Sequence, residues 1–139
     1  MQFTSVTYTS VSRIDPDSFD LEDVHAEAAA RNVDDGVTGM LVYNGTHFLH
    51  ILEGSETAVQ RLIERIRQDP RHTGFEIRDR QKVAQRSFPD WPLALVRVNA
   101  GYAQASETIE ARLPATVPEA IRARLLRMTE LISRHEFPS

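Results

Sequence analysis

Cysteine is absent from the 139 residues, which removes disulfides, thiol nucleophiles and cysteine-ligated zinc or iron–sulfur centres. Long apolar runs are missing too. None approaches the roughly 18 to 20 residues of a membrane span, and the opening MQFTSVTYTS lacks the basic-then-apolar layout of a secretory signal. A cytoplasmic location, with no membrane contact, is the expectation that follows. Positive charge is not in excess: 16 Lys and Arg stand against 20 Asp and Glu, for a formal net charge of −4. That balance gives no general attraction for nucleic acid or anionic lipid, so a charged ligand needs a local site. GxGxxG, P-loop, HExxH and GxSxG patterns do not occur, and the chain is read as a non-enzyme.

What is present suffices for one domain, since 41% of the residues are hydrophobic. Phe3 to Thr9 alternates and is rich in Thr and Val, as a half-buried strand requires. Asp15-Pro16-Asp17-Ser18 breaks it. Asp17 or Ser18 suits the N-cap of a helix with Asp20, Glu22 and Asp23 in its first turn and a Leu21, Val24, Ala28 stripe. Beyond Gly36, two apolar runs flank Asn44-Gly45, the signal of a hairpin with a type I′ turn. Ser55 can cap a second helix carrying Val59, Leu62, Ile63 and Ile66, with Pro70 past its end. Strands are predicted from Phe75 to Val83 and from Leu93 to Val98, around a Ser87 to Pro92 loop. A short helix before Pro114 and a longer one with Ile121, Leu125, Met128 and Ile132 follow. The order β-α-β-β-α-β-β describes an α+β, ferredoxin-like sheet with two helices on one face.

The ionisable residues give few sites by themselves. His47 and His50 point to opposite faces of a strand and cannot share a metal, while His25, His72 and His135 are scattered. No metal site is expected. Arg78, Arg80 and Lys82 alternate on one strand and read as a solvated face. Asp79 and Gln81, however, share parity with Phe75, Ile77 and Val83, so the strand is bulged or shorter than drawn. His50 lies between Phe48 and Leu52 on one face. An unpaired polar group on such a packed surface costs about 1 to 3 kcal/mol, so the ring needs a partner. Burial without an acid nearby keeps it neutral by lowering its pKa.

Several motifs in order carry a family resemblance: "YTS" at 8 to 10, "RNVDDGVTGMLVY" at 31 to 43, "FLHILEG" at 48 to 54, "RIRQDPRH" at 65 to 72 and "RSFPDWPLAL" at 86 to 95. Residues 3 to 98 resemble a BLUF domain, the family of blue-light sensors that use a flavin. The resemblance implies an isoalloxazine ring between the two helices and against the sheet. It implies a flavin-binding domain over residues 1 to 100, with a helical extension over 101 to 139 covering the other face.

Carried onto this sequence, the resemblance makes Tyr8 the electron donor to the excited flavin and Asn32 the amide that holds the ring's polar edge. Arg65 and Asp69 would approach the ribityl and phosphate tail, and Phe48 and Trp91 would lie near the ring. Each has a plainer reading: a core tyrosine, a helix C-cap for Asn32, core aromatics, and an Arg65–Asp69 surface pair worth about 0.3 to 0.5 kcal/mol. That pair, with the acid C-terminal to the base, opposes the helix dipole.

Two positions depart from the family. His50 replaces a glutamine whose amide exchanges hydrogen bonds between tyrosine and flavin, and Leu93 replaces a methionine. An amide carries two donors and an acceptor, whereas neutral imidazole has one of each at opposite edges. Tyr8, His50, Trp91 and Leu93 are the expected photoactive set; Asn32, Phe48, His50, Arg65 and Asp69 are the expected flavin-binding set. The implied cofactor is FAD, or FMN. The implied function is a photoreceptor with an altered photocycle, acting by contact with a separate effector and forming a homo-oligomer. The alternatives are a flavin module without signalling or with light-driven redox activity, and a flavin-free interaction domain.

Overall fold

Small and β-branched residues in the opening stretch form β1 (Phe3–Ser12), buried along most of its length. The structure is a computed structural model and describes residues 2–15, 20–98 and 102–134. The expected caps Asp17 and Ser18, and His135, lie outside the described residues. The remaining elements are α1 (Asp20–Asp35), β2 (Thr38–Tyr43), β3 (His47–Gly54), α2 (Glu56–Arg67), β4 (His72–Val83), β5 (Ala94–Arg97), α3 (Tyr102–Arg112) and α4 (Glu119–Arg134). Ser55 caps α2 as its sequence predicts, its hydroxyl accepting from the Ala58 amide at 3.2 Å.

The sheet order is β4-β1-β3-β2-β5, antiparallel throughout except that β5 runs parallel to β2 at the edge. This is the predicted ferredoxin-like arrangement with one added edge strand. The β2–β3 turn spends more residues than a two-residue hairpin. Asn44 Oδ1 accepts from the Thr46 amide at 3.0 Å and the His47 amide at 2.7 Å, and Gly45 supplies the positive φ of 95°.

Strand parity sorts the core into two layers. Val6, Leu52, Val59, Leu62 and Ile63 pack under α2, while Leu21, Leu41, Tyr43, Phe48 and Leu93 pack under α1. On the other face Met40, Val42, Leu49, Ile51 and Val96 meet Ile109 of α3 and Ile121, Leu125, Met128 and Ile132 of α4. Full burial of one such side chain contributes about 1.5 to 3 kcal/mol, so α4 is an integral layer of the fold.

The parity conflict in β4 resolves as a bulge. Thr7 pairs with Asp79 but Tyr8 with Ile77, leaving Arg78 as the extra residue. Arg78 therefore bonds Thr9 Oγ1 at 2.9 Å, and Asp79 reaches Arg124 of α4 at 2.5 Å. Arg80 and Lys82 turn toward Gln60 and Glu56 of α2. The three basic residues do not share a face. β4 also begins at His72, before the predicted Phe75, and β5 begins at Ala94, after the predicted Leu93.

Candidate functional site

Between α1 and α2 the sheet forms the floor of a cleft lined by Tyr8, Leu41, Phe48 and His50, with Asn32, Leu93 and His72 among its walls. Its enclosed space is about 90 Å³. Cofactor-sized pockets run to roughly 300 to 1,000 Å³, so a tricyclic ring would use the open mouth as well as the floor.

The antiparallel register sets Tyr8 opposite His50. Their rings meet edge to face at 5.2 Å between centroids, and the Tyr8 hydroxyl lies 3.0 Å from His50 Nδ1. Both are almost fully buried. Burial, with a smaller contribution from His72, pushes the imidazole down to about 3, and burial, with the nearby Asp69 charge, raises the phenol far above its usual range. The pair is neutral at pH 7 and shares one hydrogen. Tyr8 O–H donating to Nδ1 puts the ring hydrogen on Nε2; Nδ1–H donating to the phenol oxygen leaves Nε2 as an acceptor. Nε2 itself is buried without a partner among the described residues. Phe75 flanks Tyr8 at 4.6 Å between centroids and closes its far side.

Asn32 sits in the last turn of α1, and it is not the C-cap. Gly36, at φ 69°, ends the helix, and the Asn32 carbonyl accepts from the Val37 amide at 3.0 Å. The side chain is thereby free for tertiary use. Nδ2 donates to the Pro92 carbonyl at 2.8 Å, and Oδ1 is buried without a partner among the described residues.

At the mouth the plainer reading of Arg65 and Asp69 as an ion pair fails. Asp69 lies beyond the end of α2 and grips Arg71, from Arg71 Nε at 2.9 Å and from its terminal nitrogen at 2.6 Å. The hydrogen bond from Arg71 holds the Asp69 carboxyl below its usual range. Arg71 also faces Glu27 of α1 at 3.7 Å, bridging the two sides of the cleft. Arg65 lines the cleft on the outer face of α2, as does Arg31 on α1.

Trp91 is displaced from its expected place. It stacks on Phe88 at 5.8 Å between centroids and joins the layer on the opposite face of the sheet. Leu93 and Phe48 do border the cleft.

Sequence reasoning missed Arg71, His72 and His25, although Arg71 and His72 stand inside the RIRQDPRH stretch. Two of the histidines make specific tertiary bonds. His72 Nε2 donates to the Ile66 carbonyl at 2.6 Å, and its Nδ1 lies 2.7 Å from Ser10 Oγ, tying the end of α2 to β1. His25 Nε2 donates to the Leu93 carbonyl at 2.7 Å. Among the described residues no group of three or more His, Cys, Asp or Glu could hold a metal.

Two buried polar atoms without partners, Asn32 Oδ1 and His50 Nε2, thus belong to residues lining one apolar cleft. Each unpaired atom costs about 1 to 3 kcal/mol. A flat aromatic group with hydrogen-bonding atoms along one edge would satisfy both while its faces rest on Phe48, Leu41, Leu62 and Leu93. These residues fit a flavin ring.

Comparison with known proteins agrees. The family described as "BLUF: Sensors of blue-light using FAD" matches residues 3–94. The blue light- and temperature-regulated antirepressor BluF of Escherichia coli K12 is 41% identical over 69 residues, which are 50% of this chain and 17% of that protein. The photoactivated adenylate cyclase subunit beta of Euglena gracilis is 30% identical over 133 residues, 86% of this chain and 16% of that protein. The chain therefore spans about a sixth of the length of these curated relatives. Among solved structures, BlrB in its dark state superposes with a TM-score of 0.73 at 29% identity, covering 96% of this chain and 97% of BlrB. BlrP1 BLUF gives 0.79 at 28% identity, covering 95% and 90%.

Proposed function

This chain belongs to the BLUF family of blue-light sensors using FAD, and we propose that it holds flavin between α1 and α2 and responds to light through Tyr8 and His50 with an altered photocycle. The observation that carries the reading is the pair of unpartnered atoms, Asn32 Oδ1 and His50 Nε2, in the cleft. When bound, flavin supplies blue-light absorption and an electron acceptor.

The chain's own residues do the rest. Asn32 would hold the ring's polar edge, with Oδ1 as an acceptor and the second Nδ2 hydrogen as a donor, the first being used on the Pro92 carbonyl. With flavin bound, Tyr8 would be the electron donor, and His50 Nδ1, 3.0 Å away, would be the acceptor for the proton its hydroxyl then loses. The imidazole can pass a proton from one edge to the other but cannot present donor and acceptor together on the same side, as the family's glutamine does. The reversible red shift of the relatives is accordingly weak or absent in this chain. The same linear path favours a second reading, light-driven flavin reduction. Arg65, Arg71 and Arg31 at the mouth offer cations to a phosphate tail, with Asp69 fixing Arg71. Both FAD and FMN suit that mouth.

Partners follow from length and chemistry. The curated relatives are several times longer while BlrB is of similar length; we infer a separate effector that takes the signal, and a homo-oligomer as the working form. Among the described residues no helix is long and apolar enough to cross a membrane; we place the protein in the cytoplasm, as a non-enzymatic sensor.

Light-minus-dark absorption spectra of the wild type and His50→Gln test the reading. Wild type should retain flavin and show little lasting red shift, and His50→Gln should gain or strengthen a reversible one. A full red shift with ordinary thermal recovery in the wild type would refute this account of His50. A colourless protein that cannot be loaded with flavin would refute the cofactor.

A further inference from the structure

Three consecutive backbone carbonyls, those of Trp91, Pro92 and Leu93, precede the ladder of β5, which begins at Ala94. Each has its own donor. The Trp91 carbonyl accepts from the Gly39 amide at 3.0 Å, the Pro92 carbonyl from Asn32 Nδ2 at 2.8 Å and the Leu93 carbonyl from His25 Nε2 at 2.7 Å. Two of the three donors are side chains of α1, seven residues apart on one face of the helix. Past them, Glu22 of α1 pairs with Arg97 at the end of β5.

From this geometry we infer that His25 is a positioning residue, fixing the segment from Trp91 to Arg97 so that Leu93 closes the cleft and Trp91 stays in the opposite layer. A carbonyl only accepts, so the His25 ring hydrogen sits on Nε2. Pro92 has no amide hydrogen and the segment lies off the ladder, so side-chain donors replace strand pairing. Asn32 is the donor that a cleft ligand would share. His25 does not line the cleft, so its bond to the Leu93 carbonyl does not compete with a cleft ligand. Together with the Glu22–Arg97 pair it ties α1, away from the cleft, to a segment whose side chains Trp91 and Leu93 belong to opposite layers. Its bearing on the light response rests on the flavin reading above; the positioning itself does not.

Trp91 is the chain's only tryptophan, so its emission and acrylamide quenching report the segment in the flavin-free full chain, well below its melting temperature. His25→Leu removes the donor and should raise the quenching constant, by at most about fivefold because Trp91 is already partly exposed, fivefold being the equivalent of about 1 kcal/mol in segment opening. His25→Gln keeps an N–H of similar reach and should restore quenching to near the wild-type value. Nitrogen-15 spectra of the wild-type imidazoles should show the His25 hydrogen on Nε2. Unchanged quenching in His25→Leu overturns the inference, and so does an equal rise in both variants, which marks a packing role alone. Should His25→Leu fail to fold, the wild-type ring spectrum decides, because an unprotonated Nε2 excludes the bond. A chain that never binds flavin defeats the functional reading and leaves this test intact.

Discussion

Replacing His50 by glutamine should change how the protein's stability depends on pH, and the size of the change follows from the burial of one ring. In the folded chain the imidazole is held at about 3, against an ordinary value of 6.5, chiefly because it is desolvated on the apolar floor. Below about pH 6.5 the unfolded chain takes up a proton at this position and the folded chain does not. The contribution of His50 is therefore fully present above pH 6.5 and is lost progressively as pH falls toward 3, at about 1.4 kcal/mol per pH unit. Between about pH 6.5 and pH 4.5 the loss approaches 3 kcal/mol, a large part of the 5 to 15 kcal/mol typical of a domain. Groups distant from residue 50 are common to both proteins and largely cancel in the difference. Urea unfolding of wild type and His50→Gln from about pH 7.5 to about pH 4.5 measures that difference directly. The variant should gain on the wild type by about 1.4 kcal/mol for each unit below pH 6.5. A gap that stays constant over that range would show that His50 is protonated or solvated in the folded protein and would refute the neutral-bridge argument.

Other outcomes follow from the same contacts. Asn32→Ala removes both ends of an amide that reaches the cleft and Pro92, and should weaken flavin binding about tenfold or more, read as occupancy after purification; Arg65→Ala, at the exposed mouth, should weaken it less. Undiminished occupancy in both would remove the site as drawn. Glu53→Gln turns one of two accepting oxygens, which receive the Ser87 amide at 2.9 Å and the Phe88 amide at 2.6 Å, into a donor facing a donor. Denaturation should show a loss of about 1 to 3 kcal/mol. Deleting residues 102–139 should bare Met40, Val42, Leu49 and Ile51 and cause aggregation or altered oligomerisation; unchanged sedimentation apart from mass would contradict the layer assignment.

The elements were legible because their signals are local. The Ser55 cap, the α2 and α4 stripes and the hairpin dipeptide each sit within a few residues of what they determine. His50 was legible as a ring needing a partner because parity alone puts it between Phe48 and Leu52. The partner of Asp69 was not. Helix spacing favours Arg65, but α2 ends at Arg67, and beyond the last turn the i,i+4 rule has no hold. Nor could sequence place Trp91, whose layer depends on the irregular path from Phe88 to Leu93, with its carbonyls bound to distant donors. The plainer reading of Asn32 as a cap fails because Gly36, a few residues on, takes that role at lower steric cost.

Strand β3 carries His50 on the face toward the cleft and Glu53, fully buried, on the other, its carboxylate receiving the amides of Ser87 and Phe88. A slip of one residue against β1 or β2 would exchange every side chain between faces, sending the carboxylate into the cleft wall and the imidazole among the apolar side chains beneath α4. Both ends of that exchange are forbidden by desolvation. The central strand is thus a ratchet against any one-residue slide, locked from both faces at once.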